Sequence, residues 1–137
     1  MSSHERDEVL PGFEPLFRTS PFLDALGPFY CRRGDGGLMI GLRIVPKHAN
    51  ARGLAHGGVL LTLCNIALGY SVAHSQDPPL TLTTAHISAD FAGSARIGDW
   101  VESRADVQRI GGRLAFINVY LVVYLVVGST RIVRARA

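Results

Sequence analysis

Most of the chain consists of short apolar runs separated by steps that contain glycine or proline. The segments PFYCRR and LMIGLRIV flank the step GDGG, which predicts two strands joined by a tight turn. Four further strand candidates occur in the second half, bounded by turn residues. These candidates are Leu80–Phe91, Trp100–Ile110, Arg113–Val127 and Thr130–Ala135.

One segment between the strand candidates has a different pattern. From Gly57 to about Ala73, apolar residues occupy nearly every position, and Asn65 lies among them. A helix that is apolar on nearly every face is usually a buried one, and the polar step HSQDPP follows this segment. The pattern therefore predicts a long buried helix that carries a buried amide side chain.

The order of these elements restricts the architecture. Two strands, one helix and four strands leave the helix without a partner helix, so the sheet itself has to curl around it. This order predicts an α+β hotdog fold, in which a curled antiparallel sheet wraps around one long buried helix. At 137 residues the chain is expected to be a single domain over 1–137. We expect residues 1–12 to be a flexible lead and residues 13–27 to be an N-terminal helical cover.

Composition adds an expectation about assembly and charge. Apolar residues make up 47% of the chain and charged residues only 18%, which favours an oligomer that covers part of its apolar surface. The net charge is +3, and from Cys31 onward there are 12 basic residues against 6 acidic ones. Such a charge can attract a phosphate-bearing ligand, but a soluble protein that has no such ligand is the favoured interpretation.

Several classes of protein are disfavoured by the sequence. Cys31 and Cys64 form no disulfide framework, which favours a reduced, cytoplasmic protein. The first ten residues lack the apolar run of a signal peptide, and no segment reaches the roughly 20 apolar residues of a membrane span. The histidines show no metal-ligand spacing, so we expect no metal. Arg131, Arg134 and Arg136 lack interleaved aromatic residues, which favours a solvated edge strand over a nucleic-acid site.

The stretch HANARGLAHGGVLLTLCN, from His48 to Asn65, carries the most specific motif. It resembles the signature of the hotdog-fold acyl-CoA thioesterases of the phenylacetate-degradation type. That signature has His-x-Asn, a glycine, His-Gly-Gly, and an acidic residue eight positions after the first glycine of the pair. The segment DFAGSARIGD, from Asp90 to Asp99, also resembles that family. This chain departs from the family at Asn65, which stands where the family carries its catalytic aspartate or glutamate.

The two glycines suit the stabilisation of a thioester carbonyl. Gly57 and Gly58 begin the predicted helix, where the first N–H groups lack an intrahelical partner and the helix dipole is positive. These groups can hold an oxyanion, although glycines at this point also serve close packing of a helix on a strand. Asn65 lies about 12 Å farther along the helix, so one substrate carbonyl meets both only if they belong to different subunits. The spacing therefore predicts a composite site in a homodimer, and the resemblance implies a tetramer of two dimers.

The resemblance implies roles for further residues. Thr84 aligns with the hydroxyl residue that orients the attacking water in related thioesterases, and Thr83 serves equally if the register shifts by one. Asn50 and His56 belong to the substrate-binding part of the motif. For His56, a structural role at the start of the helix fits equally well.

Two functions fit these observations. The first is an acyl-CoA thioesterase for an acyl or aryl-acyl group, with reduced activity because an amide neither takes a proton from water nor attacks a thioester. The second is an acyl-CoA-binding protein without efficient turnover; a hotdog dehydratase is disfavoured because its catalytic residues belong to a different motif. In both functions coenzyme A is part of the substrate and no separate cofactor is expected. Guanidinium groups suit the geometry of its phosphates, and the preferred candidates for these contacts are Arg96 and Arg113, with Arg104 and Arg109 as alternatives.

Overall fold

The structure is a computed structural model that describes residues 9–34, 37–74, 84–110, 115–125 and 128–136. Its helices are α1 (Pro21–Leu26) and α2 (Gly57–Ala73), and a 3-10 turn covers Pro46–His48. Its strands are β1 (Glu14–Pro15), β2 (Tyr30–Gly34), β3 (Gly37–Arg43), β4 (Ser88–Phe91), β5 (Trp100–Ile110), β6 (Ala115–Leu125) and β7 (Gly128–Arg136).

The strands form one antiparallel sheet in the order β1-β2-β3-β5-β6-β7-β4. Helix α2 packs against β3, β5, β6 and β7, and the core lies between the helix and this face of the sheet. Its most buried side chains include Ile40 and Leu42 from β3, Val101 from β5, and Leu63 and Ala67 from α2. This arrangement confirms the predicted hotdog fold.

Helix α2 has the bounds that the sequence predicts, but its burial differs from the prediction. Gly58, Leu61 and Asn65 are exposed, and residues three or four positions apart lie on the same side of a helix. They form a stripe that faces away from the sheet, because a sheet covers only one side of a helix that it packs against. The prediction that Asn65 is a buried amide is therefore wrong for the single chain.

The strands also depart from the prediction in three places. The segment predicted as one strand over Leu80–Phe91 contains only β4, because residues 84–87 form no strand and residues 80–83 lie outside the described residues. Strand β7 is not an edge strand, since it pairs with both β6 and β4. The predicted N-terminal cover contains α1, but it also contains β1, which pairs with β2.

The N-terminal cover follows from local chemistry. Ser20 caps α1 by accepting the Leu23 N–H, and Pro21 occupies the first helical position, where its missing N–H costs nothing. Leu23 is buried in the core cluster, whereas the neighbouring Phe22 is 62% exposed. Of the predicted flexible lead, residues 1–8 lie outside the described residues. No helix in the part of the chain that is described is long and apolar enough to span a membrane.

Candidate functional site

The loop that leads into α2 is anchored by the buried side chain of His48. Its Nδ1 accepts a hydrogen bond of 3.0 Å from the Val45 N–H, and its other ring nitrogen pairs with the Leu26 carbonyl. Because Nδ1 accepts, the proton belongs on Nε2, which then donates to that carbonyl. Burial lowers the pKa of His48, which keeps the ring neutral for this arrangement. The His48 carbonyl accepts the His56 N–H at 2.8 Å and so fixes the residue just before the helix.

Asn50 shapes the next part of the loop. Its side-chain oxygen accepts the N–H groups of Arg52 at 2.9 Å and Leu54 at 3.1 Å. These contacts give Asn50 a structural role in the loop, and its role in substrate binding stays a prediction. Leu54 forms an isolated bridge with Arg96, which places the exposed Arg96 side chain at this end of the helix. The Arg96 N–H donates to Asp99 at 2.8 Å, so a tight turn holds its backbone.

The first turn of α2 presents one available N–H group. The Nδ1 atom of His56 accepts the Gly58 N–H at 2.8 Å, which makes His56 the N-cap of the helix. Among the described residues, no acceptor pairs with the Gly57 N–H. A methyl group added at Gly57 would meet only the Phe91 ring, at 3.7 Å, which is an ordinary contact. Close packing therefore does not require glycine at position 57. The absence of a side chain there instead leaves the Gly57 N–H accessible.

Asn65 is paired with the segment that precedes β4. The Thr84 hydroxyl donates a hydrogen bond of 2.8 Å to the Asn65 side-chain oxygen, and both residues are exposed. The partner of Asn65 is thus a hydroxyl in an irregular segment rather than a neighbouring strand. The water-orienting role that the resemblance implies for Thr84 stays a prediction, and the alternative residue, Thr83, lies outside the described residues.

Within one chain, the predicted site residues form two groups that lie apart from each other. His56, Gly57 and Gly58 lie at the start of α2, whereas the Asn65 and Thr84 pair lies about 12 Å along the helix axis. Arg113 lies outside the described residues. Within the described part of the chain, no group of three His, Cys, Asp or Glu side chains is placed to hold a metal ion.

The sequence of this region matches a known family. Residues 52–122, just over half of the chain, match the family model described as Thioesterase superfamily. The chain is also 49% identical over 114 residues to a Pseudomonas aeruginosa protein named "Putative esterase PA0474", covering 82% of this chain and 85% of that protein. The chain belongs to the thioesterase superfamily.

Solved structures show the same fold. The Escherichia coli PaaI protein from the phenylacetic acid degradation operon matches with a TM-score of 0.71 and 19% identity, over 82% of this chain and 78% of that one. The Streptococcus mutans protein smu.793, solved with acetyl CoA bound, matches with a TM-score of 0.65 and 19% identity, over 94% of this chain and 87% of that one. Membership of the thioesterase superfamily supports thioester hydrolysis as the general activity of this chain.

One neighbour of the motif, Phe91, was missed by reasoning from the sequence. Phe91, which is 51% exposed, places its ring beside Gly57, and its position in the family-like segment DFAGSARIGD was the available signal. Cys64 precedes Asn65 and is an obvious nucleophile in a thioesterase, but burial raises the pKa of its thiol to about 12. A thiol with that pKa stays protonated at neutral pH, so Cys64 is a packing residue.

Proposed function

We propose that this thioesterase superfamily protein binds acyl-coenzyme A and hydrolyses its thioester slowly. The observation that carries the proposal is the exposed Asn65 amide, held by the Thr84 hydroxyl at 2.8 Å. This pair is placed to hold a water molecule, but the amide cannot take a proton from it at neutral pH. Loss of a general base typically lowers a rate by about 10²–10⁴-fold.

The full site requires two copies of the chain. Leu61 lies four residues after Gly57 and four before Asn65 on the exposed stripe, so it marks the midpoint between them. If two α2 helices cross antiparallel with their two-fold axis at Leu61, each Gly57 N–H faces the Asn65 of the other copy. Leu61 is 36% exposed in the single chain, and a second copy would cover it. The proposed assembly is therefore a homodimer, or a tetramer built from two such dimers.

The reaction follows from the groups in this composite site. The thioester carbonyl accepts the Gly57 N–H of one copy, and a water molecule lies against Asn65 and Thr84 of the other. Because the Thr84 hydroxyl donates its hydrogen to Asn65, the lone pairs of the Thr84 oxygen can accept a hydrogen bond from that water. The water oxygen bonds to the carbonyl carbon, and Gly57 stabilises the negative oxygen that results. The carbon–sulfur bond then breaks, the coenzyme A thiolate leaves, and the proton of the water is lost to solvent.

Coenzyme A is proposed as the thiol part of the substrate for two reasons. A structural neighbour from Streptococcus mutans holds acetyl CoA, and its fold matches 94% of this chain. The chain also carries 12 basic residues against 6 acidic ones from Cys31 onward, a charge that is compatible with a phosphate-bearing ligand. The apolar exposed ring of Phe91 beside Gly57 suits an apolar acyl or aryl-acyl group.

The second candidate function is acyl-CoA binding without turnover, and the same amide favours it. Calorimetry and thermal shift with acetyl-CoA and phenylacetyl-CoA, combined with an assay for released thiol, separate the two functions. Binding with slow thiol release is the expected result, and binding with none supports the second function. The absence of both heat and thermal shift would contradict both candidates.

A further inference from the structure

An aromatic-arginine cluster lies at the C-terminal end of α2, away from the residues considered above. It consists of Phe17, Arg18, Arg33, Tyr70 and His74. The Phe17 ring lies edge-on to His74 at 4.5 Å and beside Tyr70 at 5.3 Å between ring centroids. The Arg33 guanidinium lies 5.4 Å from the Phe17 ring centroid, and the Tyr70 hydroxyl donates to the Arg18 carbonyl at 3.4 Å. Residues from three distant parts of the sequence thus meet at one point on the surface.

The cluster has an excess of positive charge. The pKa of His74 is lowered first by burial and then by Arg33 and Arg18, so the charged groups that act on this ring are both cations. The ion pair found among the described residues joins Arg104 to Glu102, elsewhere on the sheet. The C-terminus of α2 contributes roughly half a negative charge. That partial charge is too small to balance two guanidinium groups, so a multiply charged anion is the complementary ligand.

We propose that this cluster binds the phosphorylated nucleotide of coenzyme A, with its 3′-phosphate and diphosphate held by Arg18 and Arg33. Guanidinium groups form paired, charge-assisted hydrogen bonds with phosphate oxygens. The Phe17 ring is 42% exposed and offers an apolar surface on which an adenine ring can stack. This inference rests on the proposed function, because it assigns the nucleotide end of the same substrate.

The position of the cluster fits a ligand that also reaches Asn65. His74 follows Asn65 by nine positions, which is about 13 Å along the helix axis. In acyl-CoA the extended pantetheine arm separates the thioester from the phosphates, so the nucleotide must bind at some distance from the catalytic amide. Arg96 lies near the opposite end of α2, beside Leu54, and is the competing contact.

Calorimetry with adenosine 3′,5′-bisphosphate tests the cluster without requiring turnover. The double variant Arg18→Gln/Arg33→Gln keeps the length of both side chains and removes their charge. We expect its dissociation constant for the bisphosphate to rise at least tenfold. Arg134→Gln, which changes an exposed arginine on β7, is the matched control and should shift it less than twofold. Equal binding by the double variant and the original chain, or no binding by the original chain, would overturn the proposal.

Steady-state kinetics then distinguish this inference from the proposed function. For the double variant, the KM for acetyl-CoA should rise about tenfold, while kcat and the KM for acetyl-pantetheine, which lacks the nucleotide, stay unchanged. If the rise in KM instead follows Arg96→Ala alone, the nucleotide lies at the other end of α2 and the assignment is wrong. If the original chain hydrolyses neither thioester but still binds the bisphosphate through Arg18 and Arg33, the proposed function fails and the nucleotide site stands.

Discussion

The Thr84 hydroxyl donates a hydrogen bond of 2.8 Å to the side-chain oxygen of Asn65, on the face of α2 that the sheet leaves exposed. This bond fixes the orientation of the amide, with its oxygen toward Thr84 and its NH₂ group directed away. Thr84 keeps its oxygen lone pairs available for a water molecule. The pair thus combines a fixed donor and a fixed acceptor, but it contains no base.

Thr84→Ala should lower the residual kcat on acyl-CoA by about tenfold, which corresponds to ~1.4 kcal/mol of transition-state stabilisation. The methyl side chain can neither orient the amide nor accept from the water. Thr84→Ser, which retains the hydroxyl, is the control and should keep most of the activity. The released thiol, measured at saturating substrate, reports the change; equal kcat values for the alanine and serine variants would rule out a role for the hydroxyl.

Gly57→Ala should leave the fold intact and lower kcat/KM at least tenfold. A methyl group at this position has room beside Phe91, at 3.7 Å, so the unfolding temperature should stay equal or rise. Cβ atoms tilt toward the N-terminus of a helix, so this methyl group crowds an oxygen that approaches the Gly57 N–H. Gly69→Ala, where an added methyl group meets nothing within 4 Å, controls for the change in helix propensity. Full activity of Gly57→Ala would show that this N–H does not bind the substrate.

Local chemistry made the bounds of α2 and β5 predictable. His56 and the glycines start α2 and polar residues follow it, while β5 runs between two glycine-containing steps. The exposed stripe was not predictable, because an apolar residue such as Leu61 looks the same in sequence whichever side of the helix it occupies. The short length of β4 was not predictable either, because the segment that precedes β4 contacts α2 through Thr84 instead of pairing with the sheet. The cluster of Phe17, Arg33 and His74 depends on contacts between distant segments that no local pattern encodes.

Leu61→Asp should convert the proposed dimer into a single chain of 14.8 kDa. The substitution places the carboxylates of the two chains next to each other at the two-fold axis. There the two negative charges repel, and neither carboxylate is well hydrated. Leu61→Met, which keeps the apolar surface, should remain a dimer. Sedimentation at micromolar concentration distinguishes these states. A 14.8 kDa species for the unchanged chain, or a stable dimer of Leu61→Asp, would exclude an interface at Leu61.

Glu102→Gln should raise stability at neutral pH. Glu102 is 1% exposed; burial raises the pKa of its carboxyl, while Arg104, the Trp100 N–H and Arg32 act in the opposite direction. The folded state therefore binds a proton more tightly than the unfolded state, and stability falls as pH rises above the ordinary pKa of 4.5. Glutamine can still accept the Trp100 N–H without carrying a charge. The gain in stability should be about 1 kcal/mol, or roughly 4 °C in Tm. Thermal unfolding should show this gain at pH 7 and no gain below pH ~4. A gain that is independent of pH would exclude the buried charge of Glu102 as its cause.

The most direct test of slow hydrolysis by an intact acyl-CoA site is the kcat of Asn65→Asp. Aspartate has nearly the shape of asparagine and can accept the same Thr84 hydrogen bond, so substrate binding and KM should change little. A carboxylate adds the missing base or nucleophile, which typically contributes about 10²–10⁴-fold. The expected result, from acyl-CoA hydrolysis at pH 7 to 8, is a kcat that rises at least tenfold. A variant no faster than the original chain, or an original chain that already matches the rate of Asn65→Asp, would contradict the account.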